Sequence, residues 1–372
     1  MARLGYLKLL LQQASHTATN NLSNLGKRLI STVLNKIRVG IEGSDNGYQE
    51  VQEFYLANLQ SRQGKLTERD WKTYPHFAIN LGLLRKGTFS LLVRGQCLLS
   101  LTDSSEFAAW DKTSDCNPLL INSKQKILLL FSFIEHDGDI LKPLYLSILK
   151  EKELHFRLEI AGDMLPLIYS KVAKEGRKYI RSGDDVLFLQ RILDTASTIE
   201  KWKGKPSDGR ESRAKNIIPR LEPFVDFGIL SKPDPFAYGY QITDATKTFF
   251  ESFVNSDSID HFLYHSFFDS SNRAFGLDKK HRTDRETILP TIQKAYTVLK
   301  SPLGYVPILE VALLAGIYSI TESGSYFEIS EVTDTLKSLQ KEKPELIRFN
   351  VDRWGALTFV KFNNDIMKVV GE

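Results

Sequence analysis

The stretch that decides the fold reads Phe77-Ala78-Ile79-Asn80-Leu81-Gly82-Leu83-Leu84-Arg85-Lys86, then Phe89-Ser90-Leu91-Leu92-Val93, then Gly95 and Cys97-Leu98-Leu99. A second stretch repeats its logic: Pro223-Phe224-Val225-Asp226-Phe227-Gly228-Ile229-Leu230-Ser231-Lys232, then Tyr238-Gly239-Tyr240-Gln241-Ile242-Thr243, then Thr246 and Phe249-Phe250. Each predicts a helix, a glycine, two aliphatics, a basic residue, a loop, a short strand and another helix. Glycine just past a helix adopts the left-handed conformation that caps the last carbonyls without a Cβ clash. The aliphatics then open a strand that covers the helix, and the second strand returns to complete a hairpin. Thr243, followed by Asp244, is placed to be the N-cap of the helix that contains Phe249 and Phe250.

A third such pattern lies further on. Ile288–Lys300 and Val306–Thr321 have helical apolar periodicity, Tyr326-Phe327-Glu328-Ile329 is strand-like, and Ser330 is a good cap for a helix through Gln340. Leu346–Val351 and Ala356–Phe362 are rich in β-branched and aromatic residues and are joined by Asp352-Arg353-Trp354-Gly355, which predicts a hairpin.

The two Gly-aliphatic-aliphatic stretches resemble the winged-helix family, where this pattern marks the end of the third helix, the wing hairpin and the helix that follows. The third pattern is similar, but around Lys343-Pro344-Glu345 one of the usual three helices is missing or very short. The resemblance implies a mainly α fold with small β-hairpins, built as tandem winged-helix-like units around a central helical region. The expected domains are 1–118, with basic amphipathic N-terminal helices and the first unit; 119–200, the central helices; 201–287, the second unit with connecting helices; and 288–372, the third unit.

Composition sets the bounds. The 372 residues suffice for two to four domains, and the apolar and charged fractions are those of an ordinary globular protein. Cys97 and Cys116 form no CxxC pair, which fits a reducing cytoplasm and argues against a structural zinc site. The apolar runs Ile127–Ile134 and Val306–Ile320 are too short or interrupted to span a bilayer, so they read as buried helices.

The net charge of +4 is mild, but its distribution is uneven. Between Met1 and Ile41 there is no acidic residue, while Arg3, Lys8, Lys27, Arg28, Lys36 and Arg38 are basic. Leu4, Leu7 and Leu11, then Leu22, Leu25 and Leu29, recur at helical spacing. The expected reading is an amphipathic helix packed on the body with a solvated basic face; a phosphate-contacting arm and an organelle transit peptide are the alternatives.

Basic residues gather most densely in two places. Lys171, Lys174, Arg177, Lys178 and Arg181 form one helical stripe. Lys201, Lys203, Lys205, Arg210, Arg213, Lys215 and Arg220 precede Gly228, and Ser207 or Asp208 is placed to cap a helix bearing Arg210, Arg213 and Lys215. Arg210 and Arg213 share a helix face, which suits phosphates or guanine edges, although Pro219 and Pro223 kink or break a long recognition helix here. In the last unit Arg353 and Trp354 occupy the expected wing tip. The candidate DNA contacts are therefore Arg210, Arg213, Lys215, Arg220, Lys171, Lys174, Lys178 and Arg353.

Chemistry is harder to find. The sequence has no GxxxxGK[ST] loop, no GxSxG elbow and no histidine arranged to serve a cysteine. His136-Asp137-Gly138-Asp139 reads as a turn between helices Lys124–Glu135 and Ile140–Lys150, with Asp139 as a cap rather than a metal ligand. Leu158–Ala173 and Asp184–Trp202 continue the helical pattern. His261 and His265 share a helix face without the third ligand of a metal site.

The expected function is a non-catalytic DNA-binding or DNA-docking accessory protein in the cytoplasm. Duplex DNA and further protein subunits are its partners, with no cofactor, metal, membrane or small-molecule substrate. Its style loosely resembles accessory subunits of prokaryotic anti-phage or restriction systems. The alternatives are a scaffold whose winged helices bind protein, and an enzyme with a site around His261, His265 and Asp269.

Overall fold

The computed structural model describes residues 4–16, 68–103, 121–150, 155–157, 220–231, 239–352, 356–363 and 366. They are mostly helical, with short strands in small sheets, and they fall into two compact units. One comprises Phe133–Lys279; the other joins Arg3–Ser132 to Lys280–Glu372. Among the described residues no helix is long and apolar enough to cross a membrane.

The repeated glycine step produces the same backbone structure twice. Gly82 and Gly228 have φ of 68° and 78°. Gly82 N donates to Ile79 O at 3.1 Å and Leu83 N to Ala78 O at 2.9 Å; Gly228 N donates to Val225 O and Ile229 N to Phe224 O, both at 2.9 Å. Both helices thus close with the Schellman pairing, which satisfies carbonyls that have no partner within the helix. The aliphatics that follow, Leu83 and Leu84 in one copy and Ile229 and Leu230 in the other, are buried.

In the first copy the closing helix is α2 (Glu68–Asn80), which continues into a tight reversal. Arg85 N donates to Ser90 O, Leu92 N donates to Leu83 O, and a single bridge joins Leu84 and Leu91 before α3 (Val93–Ser100). Upstream, α1 (Gly5–His16) packs on α2 and α3. Leu4, Leu7 and Leu11 are buried, as their spacing predicts, but so are Leu9, Leu10 and Lys8. Lys8 therefore does not lie on a solvated basic face: neighbours enclose this short helix nearly all round.

The central helix departs from expectation. Residues 123–150 form one helix, α4 (Ser123–Lys150), with no turn at His136-Asp137-Gly138-Asp139. A Cβ on Gly138 would stand 3.0 Å from side-chain carbons of Ile259. The glycine serves a close approach rather than a chain reversal, so its composition misleads.

In the Phe133–Lys279 unit, β1 (His155–Arg157) pairs antiparallel with β3 (Gly239–Ile242), which pairs antiparallel with β2 (Leu230–Ser231), giving the order β1-β3-β2. The core beside it is aromatic. Tyr145, Phe224, Phe250, Phe253 and Phe262 are all buried, and Phe224 and Phe250 lie 5.1 and 4.3 Å from the Tyr145 ring. Two of these rings come from α5 (Asp244–Asn255), which Thr243 begins as the N-cap; the Thr243 hydroxyl meets that of Thr246 rather than a backbone amide. Short helices α6 (Ile259–His265) and α7 (Phe267–Ala274) follow.

The other unit contains α8 (Arg285–Leu299), β5 (Val306–Pro307), α9 (Ile308–Tyr318), α10 (Ile329–Glu342), β7 (Ile347–Val351) and β8 (Leu357–Phe362). Between α9 and α10 the chain forms a π-helical turn at Ser319–Ser323 and strand β6 (Ser325–Tyr326), which pairs in parallel with β4 (Lys280–His281). Three helices, α8, α9 and α10, therefore lie between β4 and the hairpin, and the residues at Lys343-Pro344-Glu345 form no further helix. The segment read as a strand through Ile329 divides between β6 and the start of α10, whose cap is Glu328 with Glu331 in a reciprocal capping box, not Ser330. The sheet order is β5-β8-β7, antiparallel throughout.

Two buried tyrosines test which hydroxyls hold this fold. Tyr296 donates to Gly304 O at 2.6 Å and accepts from Phe362 N at 3.2 Å, tying the loop before β5 to β8. Among the described residues the buried Tyr145 hydroxyl has no hydrogen-bond partner. Tyr296→Phe should destabilise by about 1–2 kcal/mol in denaturant unfolding, whereas Tyr145→Phe should be neutral or stabilising. Equal losses would contradict this assignment.

Candidate nucleic-acid interface

Of the eight expected DNA contacts, Lys171, Lys174, Lys178, Arg210, Arg213, Lys215 and Arg353 lie outside the described residues. Arg220 opens the helical residues 220–226 that end at Gly228. Its guanidinium lies 2.5 Å from Asp137 of α4, with both side chains largely buried. This cation serves an internal pair, and it explains why an aspartate stands where the sequence suggests a turn.

Arg94 is used the same way. At the start of α3 it meets Glu310 of α9 at 2.9 Å, with only 8% and 13% of the two side chains exposed, and its guanidinium sits 5.6 Å from the Phe131 ring centroid. Cys97 lies one turn further along α3 and is fully buried. Burial, reinforced by the Glu310 carboxylate, pushes its thiol far above the ordinary range, which disfavours the thiolate.

The remaining described cations of the hairpins are open to solvent. Arg85 and Lys86 are exposed on the first hairpin. On the last, Arg348 of β7 is exposed and Lys361 of β8 is half-exposed, and their Cα atoms are register partners. Sequence reading missed this pair because it weighed the wing tip rather than the alternation along the strands.

Helix α10 has a different electrostatic character. Its bases Lys337 and Lys341 are matched by Glu331, Asp334 and Glu342. Lys337 pairs with Asp334, Glu331 with His281 at 3.0 Å, and Glu342 with Arg285. Its solvent face is therefore close to neutral.

His261 and His265 stack with ring centroids 4.9 Å apart, both exposed. They border an open depression of about 390 Å³ with Glu135, Asp260, Leu263 and Tyr264. Asp269, the third residue of the enzymatic reading, instead pairs with Arg273 at 2.6 Å. Among the described residues no group of three His, Cys, Asp or Glu side chains is placed to hold a metal ion. No protein-family model, curated protein or solved structure matches the chain.

Two electrostatic predictions follow from these geometries. Removing one partner of a buried pair strands the other charge, whereas removing both leaves an apolar contact. Arg94→Met should therefore cost about 3 kcal/mol or more in denaturant unfolding, and Arg94→Met with Glu310→Leu should recover most of that. A double variant no more stable than the single one would refute the pairing.

The second concerns Glu322, which receives Lys124 at 2.6 Å and also Lys294. Burial pushes its carboxyl up, but the two lysines outweigh this and hold it below its ordinary 4.5. A depressed carboxyl stabilises the fold above the unfolded-chain value, and that contribution disappears as pH falls through the lower folded value. Glu322→Gln should thus be less stable than the parent at pH 7, with the gap closing below pH 4.5. The gap should be small because the side chain is about a third exposed. A gap that widens in acid would have the wrong sign.

Proposed function

We propose that the protein is a non-catalytic DNA-binding or DNA-docking accessory protein of tandem winged-helix type. The supporting observation is the recurrence of one sheet order. In both three-stranded antiparallel sheets, a strand from well upstream joins the far strand of a hairpin, as β1-β3-β2 and β5-β8-β7. In the second case three helices and a short strand between the first and second precede the hairpin, which is the arrangement of a winged helix. The identical Schellman stops at Gly82 and Gly228 support a repeated unit.

The duplex is held through Lys and Arg contacts to phosphates, with Arg210, Arg213 and Lys215 foremost and Lys171, Lys174, Lys178 and Arg353 assisting. Arg220 positions its helix through Asp137. The protein works in the cytoplasm, where the free, buried Cys97 stays reduced, as one subunit of a larger complex such as a prokaryotic defence system. The near-neutral face of α10 favours a second reading for the last unit, in which that helix docks another protein rather than the major groove.

Fluorescence anisotropy with labelled duplex DNA across a salt series tests the main reading. Binding should weaken steeply with salt, and a variant carrying Arg210→Ala, Arg213→Ala and Lys215→Ala should lose affinity and flatten the log-log slope by about 2–3 units. Salt-independent binding, or a folded protein with no binding at low salt, would move the assignment to the protein-docking scaffold.

A further inference from the structure

The β5-β8-β7 sheet has two unlike faces. Val360 and Phe362 of β8 point inward and are buried, as is Ile347 of β7. The alternate positions form two cross-strand rows on the other face. Phe359 is the register partner of Pro307 on one side and Asn350 on the other. Two residues on, Lys361 is the partner of Arg348, and its ammonium lies 5.3 Å from the Tyr305 ring centroid. Among the described residues, these two rows and the residue before β5 present Tyr305, Pro307, Asn350, Phe359, Arg348 and Lys361, none of which is a carboxylate.

This composition is unusual for a solvated sheet. The large apolar side chains exposed among the described residues are Val298, Leu303, Val351 and Phe359, and all belong to this sheet or to the helix and loop that lead into it. Phe359 is 39% exposed and Leu303 76%. From beneath, the Tyr296 hydroxyl ties the loop to β8; on the outer side the Lys361 stem lies against Gly304, where a Cβ would stand 3.2 Å from Lys361 Cε.

We infer that this outer face binds single-stranded nucleic acid, stacking an unpaired base on Phe359 while Arg348 and Lys361, the latter seated over the Tyr305 ring, hold the adjoining phosphates. An exposed aromatic ring, Phe359, beside cations suits a chain that presents both π-faces and anions. A duplex keeps its base faces stacked inside and cannot use a ring on a flat sheet. A protein partner would have no use for two cations without an accompanying acid unless it were itself acidic. Phe359 and Lys361 lie two residues apart, about 7 Å along one face of the strand, so a base on the first and a phosphate on the second can belong to neighbouring nucleotides. The inference stands apart from the duplex reading, since its residues are not those proposed to hold the duplex.

The test is anisotropy of the full chain with labelled oligothymidylate, a single strand without secondary structure. Phe359→Leu keeps an apolar side chain but removes the π-face, and should weaken binding about tenfold, while Phe359→Trp should bind at least as well as the parent. Arg348→Ala with Lys361→Ala should reduce the salt slope by about 1.4 units. The Arg210, Arg213 and Lys215 variant should keep its oligothymidylate affinity whatever it does to duplex binding, so failure of one reading is separable from failure of the other. Unchanged binding by Phe359→Leu would overturn the inference. So would loss with Phe359→Ala but not with Phe359→Leu, which would mark an apolar protein-docking face.

Discussion

Helix α9 constrains its whole unit. Ile308 and every residue from Val311 to Tyr318 are buried, so the helix has no solvent side and must be enclosed all round. Its neighbours come from distant parts of the sequence: α3 on one hand, α8, α10, β5 and β8 on the other. Closing so long a loop costs entropy, but that cost grows only slowly with length, whereas each enclosed aliphatic side chain contributes about 1.5–3 kcal/mol. The one ionisable group near the start of this helix, Glu310, is thereby drawn inside and requires Arg94. A helix without a polar face thus joins segments as far apart as Val93 and Phe362 and turns a surface-type residue into a structural one.

What the sequence made legible was local. The glycine steps at Gly82 and Gly228 could be read because a positive φ after a helix leaves few choices of residue, and the structure repeats the hydrogen bonds as well as the letters. The last hairpin was legible through its alternating runs and turn. Tertiary use of a residue was not legible. Gly138 has the composition of a turn but is a contact point for Ile259, and Asp137, read as part of that turn, answers Arg220 from within a helix. Similarly, Lys8 counts as surface charge in a composition but lies within the packed helix α1.

The same limitation governs the candidate site. A cation in a sequence has one sign but several fates, and burial decides among them. Arg94 and Arg220 hold helices together, Lys124 and Lys294 share Glu322, and the bases of α10 face acids nearby. After these pairings, positive charge with no carboxylate paired to it among the described residues is found on the outer side of the β5-β8-β7 sheet, a place that charge counting along the chain does not single out.

That placement follows from the register. Side chains of a strand alternate between faces, so burying Val360 and Phe362 commits Phe359 and Lys361 to the outside. The packing of the Phe362 ring on Tyr296, with centroids 4.3 Å apart, and the hydrogen bond from Phe362 N to the Tyr296 hydroxyl fix β8 in that register. A slip of β8 by one residue would turn Lys361 inward and Val360 and Phe362 outward, a cost no surface gain could offset. The outer chemistry is therefore not an independent decoration of the sheet: the contacts that stabilise its inner face also hold the aromatic and cationic groups in fixed rows on the other. Only at the irregularity between Asn350 and Val351, close to the hairpin turn, does the strict alternation relax.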